Sequence, residues 1–343
     1  MVHLDRELVR RGVAVRCVVA AVAGPARLER IDGVEVERVA SLGTFLSQPL
    51  APGLGAAVRS APGDIVHLHH PNPLGDLVVL RDRRPLVVTQ HSDVVRQRAL
   101  RPVYGPLIRA ALARARFVVA ASEPFLAWSR ELRPFGAKAR IIPYGIDPTP
   151  FALTPELEGR ARALRAGWPE GPVVLTVGRL VRYKGHAVLL EAARRLDATV
   201  VVVGTGPEAP RLRALAGPRV VLAGAVPEEE LPAYYRAADL FCLPSVSPAE
   251  AFGIVLLEAM ASGLPLITTR LPTGVSAVNR EGTTGLVVPP GDAGALGEAL
   301  AALLADPARR VSMGRAARGV LEAEYTAALM GERYLALYRE AIG

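Results

Sequence analysis

A chain of 343 residues has room for about two domains and a large buried core. Half of its residues are hydrophobic and 22% are charged, which excludes a disordered or fibrous chain. Aromatic residues make up only 5%, and no binding motif accompanies the net charge of +8, so no nucleic-acid partner is expected. The charge is uneven. Residues 1–150 carry 21 Lys and Arg against 13 Asp and Glu, whereas residues 151–343 carry 20 of each, so an anionic partner is expected for the first half.

In chain order, residues 2–11 read as a helix whose acids and arginines do not suit a signal peptide. No apolar run approaches the length of about 20 residues that spans a bilayer, and a cytoplasmic protein is expected. Short β-branched runs then alternate with helical stretches, the pattern of parallel sheets covered by helices. Strands are expected at 13–19, 34–39, 64–68, 86–90, 117–121 and 140–142, then at 173–177, 199–203, 219–222, 240–243, 266–269 and 286–288. Two sheets of about six strands follow.

The proline-rich stretch IIPYGIDPTPFALTPE separates the two series and places a domain junction near residue 150. The expected division is 1–150, 151–325, and a last helix within 326–343 that returns to the first domain. A doubly wound domain normally opens on a central strand, and none precedes the helix at 2–11. The reading is therefore of a sequence that starts late, leaving a gap in the first sheet. Cys17 and Cys242 lie in apolar strand-like runs without disulfide or zinc spacing, which fits a reducing compartment.

Ligands of open α/β sheets bind at the carboxyl ends of strands. The loop after 173–177 reads GRLVRYKGH, and its Arg179 and Lys184 suit the phosphates of a nucleotide diphosphate. Lysine is rare here, at two against 39 arginines. Further on, SPAEAFGIVLLEAMASG places Glu250 and Glu258 around the start of a helix. The amides of residues 252–255 then form an anion site that Gly253 lets a phosphate approach. Eight helical steps span about 12 Å, more than the roughly 5–9.5 Å between the carboxylates of a glycosidase. Opposite ends of one extended ligand suit the two glutamates better, a sugar at Glu250 and a ribose at Glu258.

Taken together, VGRLVRYKG, LFCLPSVSPAEAFGIVLLEAMASGLPLITT and TGLVVPPGD strongly resemble the retaining glycosyltransferases of sequence family four, over nearly the whole chain. The resemblance implies an α/β GT-B fold, two Rossmann-like doubly wound domains facing across a cleft. It implies that Arg179 and Lys184 hold the diphosphate, Glu258 the ribose and Glu250 a sugar hydroxyl. Gly204, Phe252, Gly253 and Ile254 complete the donor-binding set, and His91, in VVTQHSD, matches the histidine that lines the sugar site. The implied reaction is metal-independent and uses no cofactor. Its partners would be a GDP- or UDP-hexose, mannose being the first guess, and a glycan or lipid-linked glycan, as in bacterial polysaccharide mannosyltransferases. Members usually begin with a strand and a Gly-rich loop, which this sequence lacks.

Other signals carry competing readings. His67, His69 and His70 suggest metal ligands, but neighbouring strand residues face opposite sides and no carboxylate cluster joins them. VVVGTGPEA resembles a dinucleotide fingerprint, yet no acid follows the next strand. The segment 94–116 carries Arg96, Arg98, Arg101, Arg109, Arg114 and Arg116, which suits a peripheral contact with anionic membrane or only a solvated helix face. Thr273 and Gly274 touch the donor sugar or merely shape a turn. The rival functions are a non-catalytic nucleotide-sugar-binding scaffold, a nucleotide-sugar epimerase of the same fold, and a phosphorylase, for which only Lys138 and Lys184 are available to pyridoxal.

Overall fold

The computed structural model describes residues 2–22, 24–45, 48–93 and 101–343. The chain divides into two compact units. One comprises Met1–Gly145 with Ala327–Gly343, and the other Ile146–Thr326. The break falls inside the proline-rich stretch, and the last helix, Ala327–Ile342, belongs with the first unit.

The first unit contains the strands β1 (Arg16–Ala20), β2 (Arg27–Ile31), β3 (Val34–Val39), β4 (Thr44–Phe45), β5 (Gln48–Pro49), β6 (Val66–His70), β7 (Leu86–Gln90), β8 (Phe117–Ala120) and β9 (Ala139–Ile141). One sheet of about six strands is expected from the sequence. The structure has instead a three-stranded sheet, β1-β3-β2, a four-stranded parallel sheet, β6-β7-β8-β9, and the small pair β4-β5. Among the described residues no ladder joins β1 to β6.

Strand β2 is absent from the sequence reading because RLERI is charged and mostly exposed, without the apolar alternation of a half-buried strand. Its signal lies in the turn: Asp32 and Gly33 both adopt positive φ, 51° and 82°, as a two-residue hairpin requires. Charge pairing across the hairpin, Arg38 to Glu29 and Arg30 to Glu35, supports the antiparallel register.

The second unit contains β10 (Val173–Val177), β11 (Thr199–Val203), β12 (Val220–Gly224), β13 (Leu240–Leu243), β14 (Leu266–Thr269) and β15 (Gly285–Val288), in one parallel sheet of order β12-β11-β10-β13-β14-β15. Strands VVLTV, TVVVV, LFCL and LITT are buried along their whole length, as strands covered by helices on both faces must be. Leu189, Leu240, Ile267 and Leu300 belong to one of the cores so formed. Strand order reverses between β10 and β13, so the crevice beyond their carboxyl ends is the switch point where ligands of such sheets bind.

In the first unit, the helix Val2–Arg10 lies against Ala327–Ile342 through Leu4, Leu8, Met330, Tyr334 and Leu337, over Val87 and Val119 of the sheet. Gly331 permits the close approach: a β-carbon there would stand 2.8 Å from that of Glu7. No described helix is long and apolar enough to cross a membrane.

Candidate active site

In the second unit the loops after β10 and β13 meet at the switch point. Gly185, at φ +70°, sits so close to Pro244 that an added β-carbon would lie 1.9 Å from its carbonyl oxygen. That approach brings Lys184 to Glu250: Nζ to Oε2 is 2.5 Å, with both side chains about nine-tenths buried. Ser245 also donates to Glu250 Oε2, at 3.0 Å, and Thr273 donates to the Glu250 backbone oxygen at 2.7 Å. Thr273 is fully buried and thus holds the Glu250 loop. Gly204, at φ +136°, lets β11 end directly against Gly178, whose carbonyl oxygen a β-carbon would meet at 2.0 Å.

The helix Ile254–Ala261 begins on Gly253, which adopts φ +81° and provides no side-chain cap. The backbone amides of Gly253, Ile254 and Val255 donate to no described group, so three N–H dipoles remain available at the positive helix end. The Phe252 ring is buried and packs edge-on against Tyr325. Arg179 is exposed and its side chain makes no ion pair or hydrogen bond among the described residues.

Glu258, half-buried one helical stretch further on, accepts a 2.6 Å hydrogen bond from the Tyr235 phenol at Oε2. Burial raises its pKa above the ordinary carboxylate value, opposed by that bond and by the Lys184 charge. The sequence reading overlooks Tyr235, which lies in the helix Leu231–Ala237 and packs on Phe151 and Phe241 like any core aromatic. Ser245 escapes notice for the same reason, since a buried serine in a loop carries no pattern. The structure thus brings together Lys184, Glu250 and the ends of β10, β11 and β13, with Lys184 also acting on Glu258.

His91 lies apart from this cluster in the chain, just after β7 in the first unit. Its Nδ1 is 2.5 Å from the Tyr144 hydroxyl and its Nε2 is 2.9 Å from His69 Nδ1. Next to it His67 bonds to Tyr338 at 2.6 Å and to Thr89 at 2.7 Å, and Thr89 bonds to Tyr334 at 2.9 Å. Burial pushes His67 down to about 3 and His91 to about 4, and holds His69 well below its ordinary value. These rings are therefore neutral at physiological pH. His70 faces the other side of β6, as strand alternation requires, and is tied to Asp76 and to Gln90. Only His91 of this array is among the expected site residues.

Of the arginine-rich segment, Arg96, Arg98 and the Arg101 side chain lie outside the described residues. Arg109 and Arg116 are exposed. Arg114 instead turns inward, donating to the backbone oxygens of Asp82 and Arg84, which removes it from a solvated face.

The chain matches two family models, "Glycosyltransferase Family 4" over residues 1–149 and "Glycosyl transferases group 1" over residues 165–320. It is 38% identical over 277 residues to the D-rhamnosyltransferase WbpZ of Pseudomonas aeruginosa, covering 78% of this chain and 71% of that protein. It is 34% identical to the O-antigen chain mannosyltransferase C of Escherichia coli, covering 80% and 75% respectively. Among solved structures it resembles the sucrose-phosphate synthase of Thermosynechococcus elongatus, with a TM-score of 0.82 and 26% identity over 98% of this chain and 91% of that one. Anabaena HepE, solved with UDP and glucose, shares the fold at a TM-score of 0.78 and 20% identity, over 98% and 94% of the two chains. The architecture is GT-B, with two Rossmann-like domains.

Proposed function

Because this chain belongs to family 4 of the glycosyltransferases and is a hexosyltransferase, we propose that it moves a hexose, with retention and without a metal, from a nucleoside diphosphate sugar to a glycan or lipid-linked glycan. The observation that carries this reading is the uncapped helix start at Gly253–Val255 next to Lys184 and its partner Glu250. Three free amides and a buried ammonium suit the two phosphates of a leaving nucleotide, whose charge grows as the glycosidic bond breaks. Arg179 adds a second, unengaged cation. In this mechanism Glu258 takes a ribose hydroxyl, Glu250 a hydroxyl of the transferred sugar, and the leaving phosphate receives the acceptor proton. The first-unit histidines His67, His69 and His91 are neutral rings.

Mannose from GDP-mannose is the leading donor. Relatives named as mannosyltransferases support it, including one from Mycolicibacterium smegmatis described as GDP-mannose-dependent and 36% identical. Arg109 and Arg116 on an otherwise basic first half support a peripheral contact with anionic membrane.

The test is transfer of radiolabelled hexose from GDP-mannose and from UDP-glucose to a lipid-linked glycan acceptor, with and without EDTA. The expected result is an α-linked product from GDP-mannose at a rate EDTA leaves unchanged. Release of free sugar without acceptor modification, or loss of all transfer in EDTA, contradicts the reading.

A further inference from the structure

The two oxygens of the Glu250 carboxylate are used unequally. Oε2 takes the Lys184 ammonium at 2.5 Å and the Ser245 hydroxyl at 3.0 Å. Oε1 has no hydrogen-bond partner among the described residues, and it is not closed off from solvent. Lys184 in turn has no second anionic partner among them. The loop that carries Glu250 is tied at both ends. The Thr269 hydroxyl donates to the Ser245 carbonyl oxygen, the Thr273 hydroxyl to that of Glu250, and the Gly274 amide to that of Ala251 at 2.8 Å. Ser245, Thr269 and Thr273 are all buried. The carboxylate is therefore held against Lys184 by its loop as well as drawn there by charge.

We propose that Glu250 selects the loaded donor over the spent one. As the fixed counter-anion of Lys184 it weakens the hold on a bare nucleoside diphosphate, which makes it a specificity-determining residue. This rests on the donor reading above and involves second-unit side chains only.

A phosphate that reaches Lys184 meets a carboxylate already on it. Like charges repel far more in a partly dry site than in water. A phosphate that drew the ammonium away would leave the Glu250 charge buried without its partner. A nucleotide sugar brings its own compensation, because a hexose hydroxyl donates to the open Oε1 and spreads the carboxylate charge. The spent nucleotide brings none. Its terminal phosphate, no longer esterified, also ionises a second time at a pH of about 6, so its repulsion from Glu250 is larger. Both differences fall on the diphosphate, and the group that receives the sugar thus also speeds release of the product.

The test measures Kd by calorimetry for GDP and GDP-mannose, with UDP and UDP-glucose alongside, on the parent chain, Glu250→Gln and Glu250→Ala. Tm serves as the control for folding, and the nucleotide pair that binds the parent is the pair compared. Glu250→Gln keeps an oxygen for Lys184 and Ser245 but no charge. It is expected to bind the diphosphate about 10-fold more tightly than the parent and the nucleotide sugar within about 3-fold of the parent, while kcat for transfer falls about 10-fold or more. Glu250→Ala is expected to shift the diphosphate in the same direction. A residue that only supports the fold would lower Tm and weaken both ligands together. Diphosphate affinity unchanged or weakened in the folded variants, or a gain shared equally by diphosphate and nucleotide sugar, overturns this inference and leaves the hexosyltransferase mechanism standing. A folded parent that binds neither diphosphate overturns both.

Discussion

The two units reach their polar sites by different routes. In the second, Lys184, Glu250 and the bare helix start come from two continuous motifs, each following a strand, and the sheet topology alone brings them to one place. In the first, the polar array draws on β6, β7, Tyr144 and the terminal helix, whose Tyr338 reaches His67 across 271 residues of sequence. A site written as a contiguous motif at a switch point can be read from sequence. A site assembled by cross-strand register and a returning helix cannot, because each member looks like an ordinary core residue.

The largest expected effect tests the loop geometry of the second unit. Gly185→Ala places a methyl group 1.9 Å from the Pro244 oxygen at a φ of +70°. Neither atom is the end of a flexible side chain, so we expect a loss of about 3 kcal/mol. At roughly 2–4 °C per kcal/mol, that lowers Tm by about 10 °C, measured calorimetrically. An unchanged Tm would show that the two loops do not meet as described.

Acid should separate the two units. His91, held down to about 4 from an ordinary 6.5, stays neutral in the folded chain where the unfolded chain takes up a proton. Its contribution is complete above pH 6.5 and is lost as the pH falls towards 4, about 3 kcal/mol in all. His67 acts in the same direction down to about 3. The second unit has one such ring, His186, lowered to about 4 by burial and by the Lys184 charge. The chain has two tryptophans, Trp128 in the first unit and Trp168 in the second. With one replaced by Phe at a time, the fluorescence transition of Trp128 is expected at the higher pH. Coincident transitions would remove the contrast.

A smaller effect concerns Tyr235. Removing its hydroxyl leaves Glu258 Oε2 without the 2.6 Å donor that orients it and that offsets the burial. Tyr235→Phe is expected to weaken nucleotide binding by about 1 kcal/mol, or roughly 5-fold. Because the Glu258 pKa is already raised, its carboxylate is expected to serve the proposed ribose contact only above that raised value, and the substitution to move the acid limb of the binding profile to higher pH. The raised pKa also means that ionising Glu258 costs the fold stability as pH rises from the ordinary carboxylate value through the raised one. Unchanged affinity and an unchanged pH profile would reduce Tyr235 to a packing residue.

Most of the second unit was legible. Its six strands are apolar runs long enough to be read directly, and Gly185, Gly204 and Gly253 stand where the backbone turns or closes up. Strand β2 is not legible as a strand because it is charged and exposed, although Asp32-Gly33 marks its turn. Tyr235 and Ser245 are not legible because a phenol or hydroxyl that holds a carboxylate has no sequence periodicity. His67, His69 and His70 stand within four residues, and only the register of β6 with β7 and the bonds it allows show that both ring nitrogens of His67 and of His70 are spent on internal partners.

The second unit is proposed to grip a nucleoside diphosphate through the Gly253–Val255 amides, Lys184 and Glu258. Isothermal calorimetry of GDP, UDP and GMP against the parent, Lys184→Met and Glu258→Gln tests it most directly. One diphosphate is expected to bind the parent, GMP to bind at least 10-fold more weakly, and each substitution to weaken the diphosphate about 10-fold or more. Equal affinity for diphosphate and monophosphate, or variants that bind as the parent does, would contradict it.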